Sequence, residues 1–178
     1  MTKKSRIYTR SGDRGSSGLA NGERRPKTDQ RIQAMGAVDE LNALLGVVLS
    51  QLSDPMLKQQ IEGLQKQLFI AGAELALAKQ ICIMEEHLLA VEKMIDHYDA
   101  ALPRMTHFIL PGGSVAGAAL HHARSVCRRV ECEVLHLAQQ EEVNSLLLRY
   151  LNRLSDLLFV LARHANQQQG EAETKWIP

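Results

Sequence analysis

From Arg31 to Gln168 the apolar residues of this chain recur every three or four positions, in runs punctuated by proline and glycine. That period lays an apolar stripe along one side of a helix. The first run, 31–52, carries Val38, Leu41, Leu44/Leu45 and Val48. The second begins at Pro55, a residue suited to a first helical turn, and extends to about Lys79 with Leu57, Ile61, Leu64, Leu68, Ala71 and Leu75 on one side. The third, 84–102, carries Leu88, Val91, Met94/Ile95 and Tyr98 and stops at Pro103. Pro111-Gly112-Gly113 then breaks the chain, and Ser114 is a good cap for a fourth helix over 115–139. Its stripe is Ala116, Ala119/Leu120, Ala123, Cys127, Val130, Val134 and Leu137. The fifth, 145–168, turns Leu147/Leu148, Leu151, Leu154, Leu158 and Leu161 inward.

Five amphipathic helices with short links specify an all-α fold, one antiparallel five-helix bundle. Leu and Ala dominate a chain that is 45% apolar and only 4% aromatic, which favours helix over strand. With 178 residues there is one domain with a proper core. We divide it into a basic, Gly-rich N-terminal segment (1–30), the helical bundle (31–168) and a flexible tail (169–178) in which Trp176 could dock.

The net charge of +1 gives no global argument for nucleic acid or a membrane. It is unevenly placed, since residues 1–31 hold nine Lys or Arg against three Asp or Glu. A local basic segment in a near-neutral chain points to an anionic ligand. Cys82, Cys127 and Cys132 are odd in number and lack a framework spacing, so free thiols in a reducing compartment are expected. No run approaches the roughly 18 apolar residues of a membrane span, and MTKKSRIYTR lacks a signal-peptide core. A cytoplasmic protein is expected.

Residues 8–28, YTRSGDRGSSGLANGERRPKT, interleave Gly12, Gly15, Gly18 and Gly22 with hydroxyls and cations. Such a loop can turn backbone N–H groups toward a phosphate, with Arg10, Arg14 and Lys27 adding charge. It is neither a Walker A loop nor GxGxxG, and a flexible basic tail is the alternative. A di-metal bundle needs two Glu-x-x-His motifs, and only Glu133 to His136 is present. His121 and His122 cannot share a helix face, and Cys127 with Cys132 does not match a zinc pattern, so no protein metal ligands are assigned. Arg124 and Arg128 lie one turn apart on the fourth helix. Their mutual repulsion is relieved by an anion such as a triphosphate, or by Asp39, Glu131 or Asp156.

TRSGDRGSSGL, GERRPK, AVDELNALLG, FILPGGS, ARSVCRRVE and YLNRLSDLLFVLARHAN, in this order from Ile7 to Asn166, strongly resemble segments of PduO-type ATP:cob(I)alamin adenosyltransferases. The resemblance implies a ferritin-like, cobalamin adenosyltransferase-like bundle assembled as a homotrimer with active sites between subunits. It implies that cob(I)alamin attacks the ribose C5′ of ATP, giving adenosylcobalamin and triphosphate. By resemblance Thr9, Arg10, Ser11, Gly12, Asp13, Gly15, Ser16, Ser17, Gly18 and Lys27 form the ATP-binding segment. Arg128, Arg129, Glu131 and Asn152 would be the ATP contacts of the neighbouring subunit, with Mg²⁺ on the phosphates. Asp39 and Arg124 resemble a pair that meets across the interface beside the corrin. Phe108 resembles the aromatic that fills the lower axial face of cobalt and displaces the nucleotide-tail base. Arg128, Asp39, Arg124 and Phe108 are thus the expected catalytic set. Departures are small: Ser11 replaces the usual Thr, Arg14 the frequent Lys, and Ser16-Ser17 a Thr-Thr pair. The connection AKQICIMEEH matches poorly.

Cob(I)alamin is itself a strong nucleophile, so the protein must supply alignment and leaving-group stabilisation rather than a general base. A cobalamin carrier that hands its cofactor to a mutase or dehydratase is the competing reading. A helical nucleic-acid binder is disfavoured for want of an aromatic-basic patch. A cob(II)alamin reductase and an adenosylcobalamin-dependent enzyme stay open as partners. The Gly-rich loop is expected to order only when phosphate arrives.

Overall fold

The computed structural model describes residues 7–177. A hairpin of β1 (Ser16–Gly18) and β2 (Arg24–Pro26) precedes five helices. These are α1 (Gln30–Gln51), α2 (Pro55–Leu75), α3 (Glu85–Asp99), α4 (Val115–Ala138) and α5 (Ser145–Gln168). Residues 1–6 and 178, the outer ends of the expected N-terminal segment and tail, lie outside the described residues.

Local chemistry starts the helices where the sequence places them. Asp29 accepts from Arg31 N at 2.9 Å, and Asp54 from Met56 N at 2.8 Å, ahead of Pro55. Ser114 Oγ accepts from Gly117 N at 3.0 Å, and Asn144 from Leu146 N at 3.0 Å. Each such cap is worth about 1 kcal/mol. The end of α2 differs from expectation. It stops at Leu75 rather than near Lys79, because Leu77 takes a left-handed φ of 62° and the Ala78 amide turns back to Ala73 O at 2.9 Å. Glycine normally marks such a stop, and none stands here. The third helix is also shorter than expected, closing at Asp99.

The core lies where α4 meets α5, with α1 against α4, α2 against α1 and α3 against α5. Because α5 is covered by both α3 and α4, it buries Tyr150, Leu157 and Val160 as well as its leucine stripe. The fully buried Tyr150 hydroxyl donates to Gln67 on α2 at 2.9 Å. Among the described residues α1 is, contrary to expectation, long and apolar enough by composition to cross a bilayer, with mean hydropathy 1.4. Its Ala34, Val38, Leu41, Leu45 and Val48 are nevertheless packed in the core.

Two segments outside the five helices also pack on them. The N-terminal one forms the hairpin, with Ser17 opposite Arg25, and docks through buried Leu19 and an Ala20 N to Ala76 O bond of 2.8 Å. The tail runs along the segment before α4. Ile109 and Lys175 form an antiparallel bridge, Leu110 N donates to Thr174 O and Trp176 N to Phe108 O, both at 2.8 Å. Trp176 stays half exposed, so backbone pairing rather than burial of its ring holds the tail.

Candidate functional site

The N-terminal loop gathers hydroxyls and cations around a turned backbone. Gly15, at φ 79°, takes the left-handed conformation that leads the chain into β1. Lys27 N donates to Gly15 O at 2.8 Å, closing the loop at its base. The Lys27 ammonium stands over Gly12, where an added Cβ would lie 3.6 Å from Nζ. Arg24 Nη2 donates to Ser11 O at 2.7 Å and to Ser16 Oγ at 2.8 Å. Thr9 and Ser11 share a hydroxyl hydrogen bond of 2.8 Å, and the Asp13 amide reaches Arg10 O at 3.4 Å. Arg10, at φ 59°, holds its guanidinium 5.6 Å from the Tyr8 ring centroid. Thr9, Ser11, Asp13, Gly18 and Lys27 are exposed and Ser16 and Ser17 half-buried, so the donors face outward, as an anion site requires.

An ion-pair network ties this loop to the bundle. Glu141, in the α4–α5 link, accepts from Arg31 Nη2 at 2.8 Å and Nε at 3.1 Å, and pairs with Arg25 of β2. Arg31 is buried and also donates to Leu75 O at 2.9 Å. Hydrogen bonds from Arg25 and then Arg31 hold the Glu141 carboxyl below its ordinary range. Sequence reading missed this network, because Glu141 lies 110 positions from Arg31.

On the α4–α5 face the structure brings Glu131 and Asn152 together, with Asn152 Nδ2 donating to Glu131 Oε1 at 3.0 Å. Arg128 is exposed and makes no hydrogen bond or ion pair among the described residues. Its neighbour Arg129 points about 100° away around the helix and pairs with Glu40 of α1. Asp156 pairs with Arg153 at 3.0 Å, so it does not relieve the Arg124–Arg128 repulsion. Cys127, beneath these residues, has its thiol pushed up by burial, then by the Glu131 and Asp156 carboxylates, and is an inert core group.

Phe108 projects from the segment before α4 with 75% of its surface exposed. Arg124 is half-buried, its Nε without a partner and its Nη2 3.5 Å from Ser125 Oγ. One turn earlier, His121 is buried edge-on to Phe159 at 5.8 Å, with neither ring nitrogen bonded. Burial first, and Arg124 second, hold its pKa below the ordinary imidazole range. Asp39 is exposed at the rim of a groove of about 500 Å³ between α1 and α2, whose walls include Asn42, Gln65, Lys66 and Phe69. Asn42 Oδ1 is buried there without a partner, and Phe69 is 70% exposed. The sequence reads α2 as core alone. An aromatic residue off its apolar stripe was the available signal for the groove.

Among the described residues no ion pair joins Asp39 to Arg124. Nor does a hydrogen bond join the N-terminal loop to Arg128, Glu131 or Asn152.

A family model described as cobalamin adenosyltransferase matches residues 7–165. A cobalamin adenosyltransferase of Cupriavidus metallidurans is 42% identical over 97% of this chain and 94% of its own length. A corrinoid adenosyltransferase of Bacillus subtilis is 38% identical over 96% of this chain and 92% of its own. Among solved structures, a variant PduO-type ATP:corrinoid adenosyltransferase from Lactobacillus reuteri, complexed with cobalamin and ATP, superposes with a TM-score of 0.93. It shares 33% identity with this chain, over 97% of this chain and all of that one.

Proposed function

The chain belongs to the cobalamin adenosyltransferase family, and we propose from that premise how its own residues carry out ATP-dependent adenosyl transfer to cobalamin. The reaction forms a bond from cobalt to C5′ of ATP and breaks the C5′–O bond. The electron pair of cob(I)alamin enters the new bond, and triphosphate leaves with the pair of the broken one. The protein's contribution is alignment, together with donors placed where the leaving charge develops.

The observation that carries this reading is the N-terminal loop. Its Lys27 ammonium stands over Gly12, and the bonded Thr9 and Ser11 hydroxyls lie on the same exposed loop. Thr9 through Gly18 with Lys27 bind the triphosphate of ATP. Arg128 makes no hydrogen bond or ion pair among the described residues, and Glu131 is oriented by Asn152; they contact ATP from a neighbouring subunit, joined by Arg129 once it leaves its exposed pair with Glu40. The assembly we assign is a homotrimer with active sites between subunits. Asp39 and Arg124, which form no ion pair with each other among the described residues, we assign to pairing across the subunit interface beside the corrin. Phe108, largely exposed, fills the lower face of cobalt. An apolar ring there excludes a water or base ligand and makes Co(II) easier to reduce.

Mg²⁺ is assigned to the phosphates of ATP, where it would neutralise charge and keep several waters, as a hard cation with few protein ligands does. The compartment we assign is the cytoplasm.

The test is an anaerobic spectrum of the purified protein with chemically reduced cobalamin, Mg²⁺ and ATP. Loss of the cob(I)alamin band with formation of a light-sensitive alkylcobalamin is expected. Binding of both ligands without conversion would favour a carrier. Asp39→Ala and Arg124→Ala should each weaken cobalamin binding while leaving ATP binding intact; normal corrin affinity in both removes the interface assignment.

A further inference from the structure

Two polar side chains near the end of α5 take no part in the chemistry above, yet both are buried against the segment that carries Phe108. Asn166 is 4% exposed. Its Oδ1 accepts from Ser114 N and Ser114 Oγ, each at 2.9 Å, and its Nδ2 donates to Gly112 O at 2.9 Å. The fit is close: a Cβ on Gly113 (φ 99°) or on Gly117 would overlap the Asn166 side chain. Arg163, one turn earlier, is also 4% exposed. It donates from Nη2 to Pro103 O at 2.7 Å and from Nε to Glu173 Oε1 at 2.5 Å, and lies 3.8 Å from Asp99. Glu173 belongs to the tail, whose next residues bond Leu110 N and Phe108 O.

The segment 103–114 is therefore held at its start by Arg163 and at its end by Asn166. Its middle is held by a tail strand that Arg163 anchors. The Phe108 ring, largely exposed, contributes little to its own placement. A buried guanidinium and a buried carboxamide are costly to desolvate, and here they bond the segment and the tail that surround Phe108.

We propose that Arg163 and Asn166 are positioning residues that set the height and direction of Phe108 against the corrin, with Glu173 coupling the tail to them. This rests on the reading of Phe108 as the residue at the lower face of cobalt. Rigid support matters there because displacement of the lower ligand requires the ring at van der Waals distance, and a loop free to retreat would readmit the base.

The experiment measures, by absorption and paramagnetic resonance, the fraction of bound cob(II)alamin whose lower base is displaced in the presence of Mg-ATP. Wild type is compared with Asn166→Asp, Glu173→Gln and Phe108→Ala. An aspartate at 166 can still accept from Ser114 but sets a carboxylate oxygen against Gly112 O, so it releases the loop while keeping the helix cap. Glu173→Gln, outside the core, replaces the ion pair with Arg163 by at most one neutral hydrogen bond and so weakens the tie. Both variants are expected to fold, to bind ATP with wild-type Kd, and to lose the displaced-base fraction several-fold, toward that of Phe108→Ala. A loss in Phe108→Ala with wild-type fractions in the folded positioning variants overturns the proposal. If Asn166→Asp does not fold, Glu173→Gln decides. An undiminished fraction in Phe108→Ala overturns the Phe108 assignment itself, and the positioning role with it.

Discussion

Replacing Glu141 by Gln tests whether the N-terminal loop is held to the bundle by charge. The carboxylate meets Arg31, whose side chain is 4% exposed, and is itself 31% exposed. Breaking a fully buried pair costs about 3–5 kcal/mol, whereas exposed pairs are worth less than about 1 kcal/mol. Glu141 lies between these limits, and Arg31 keeps its bond to Leu75 O, so a loss of about 2 kcal/mol is expected. In a chain of 178 residues this lowers Tm by roughly 4–8 °C. The pH dependence follows from the direction of the shift. The folded pKa of Glu141 is depressed, so its contribution is fully present above the unfolded value of about 4.3 and is lost as pH falls through the folded pKa. Thermal denaturation of wild type and Glu141→Gln should therefore differ most at neutral pH and converge in acid. The KM for ATP should rise, because the hairpin behind Lys27 loses its tether. An unchanged Tm at neutral pH, or a difference that persists undiminished in acid, would show that the Glu141 charge does not hold the loop.

Arg128→Ala should lower kcat/KM for ATP about ten- to hundredfold, the worth of one charge-assisted hydrogen bond, without changing Tm; steady-state kinetics showing full turnover would remove its role. Gly117→Ala should destabilise by about 1–3 kcal/mol through overpacking, since the new methyl meets Asn166, as read by urea denaturation. Gly36→Ala, on an exposed face of α1 with open space around it, should instead stabilise by about 0.4–1 kcal/mol in the same assay. Hydrogen exchange at the backbone amides of Thr9 to Gly18 should slow when Mg-ATP is added; equal exchange with and without nucleotide would argue against this loop as the phosphate site.

The helices were legible because their causes are local. Asp54 before Pro55, and Ser114 after Pro111-Gly112-Gly113, act on amides two or three residues away. The end of α2 was not, since Leu77 occupies a left-handed conformation with no glycine to announce it. The β-hairpin was hidden for a related reason: Ser16–Gly18 has little strand propensity and is organised by Arg24 reaching across to Ser11 and Ser16. Motif resemblance named Arg128, Glu131 and Asn152. The structure adds that Asn152 holds Glu131 while Arg129 is drawn off to Glu40.

The five helices, the family and the residue types available for phosphate and corrin are written in the chain, because periodicity, caps and motifs act over a few residues or are read position by position. What lies behind those residues emerges only from the packed helices. The Arg25–Arg31–Glu141 network, the groove beside Asp39 and the Arg163–Asn166 support of the Phe108 segment each join positions tens of residues apart or more. Nothing in the spacing of an arginine or an asparagine along one helix says which distant carbonyl it will meet. Packing of α5 between α3 and α4 makes that choice, and the cost of burying an unpaired polar group favours a partner for Arg163 and Asn166 wherever the fold supplies one.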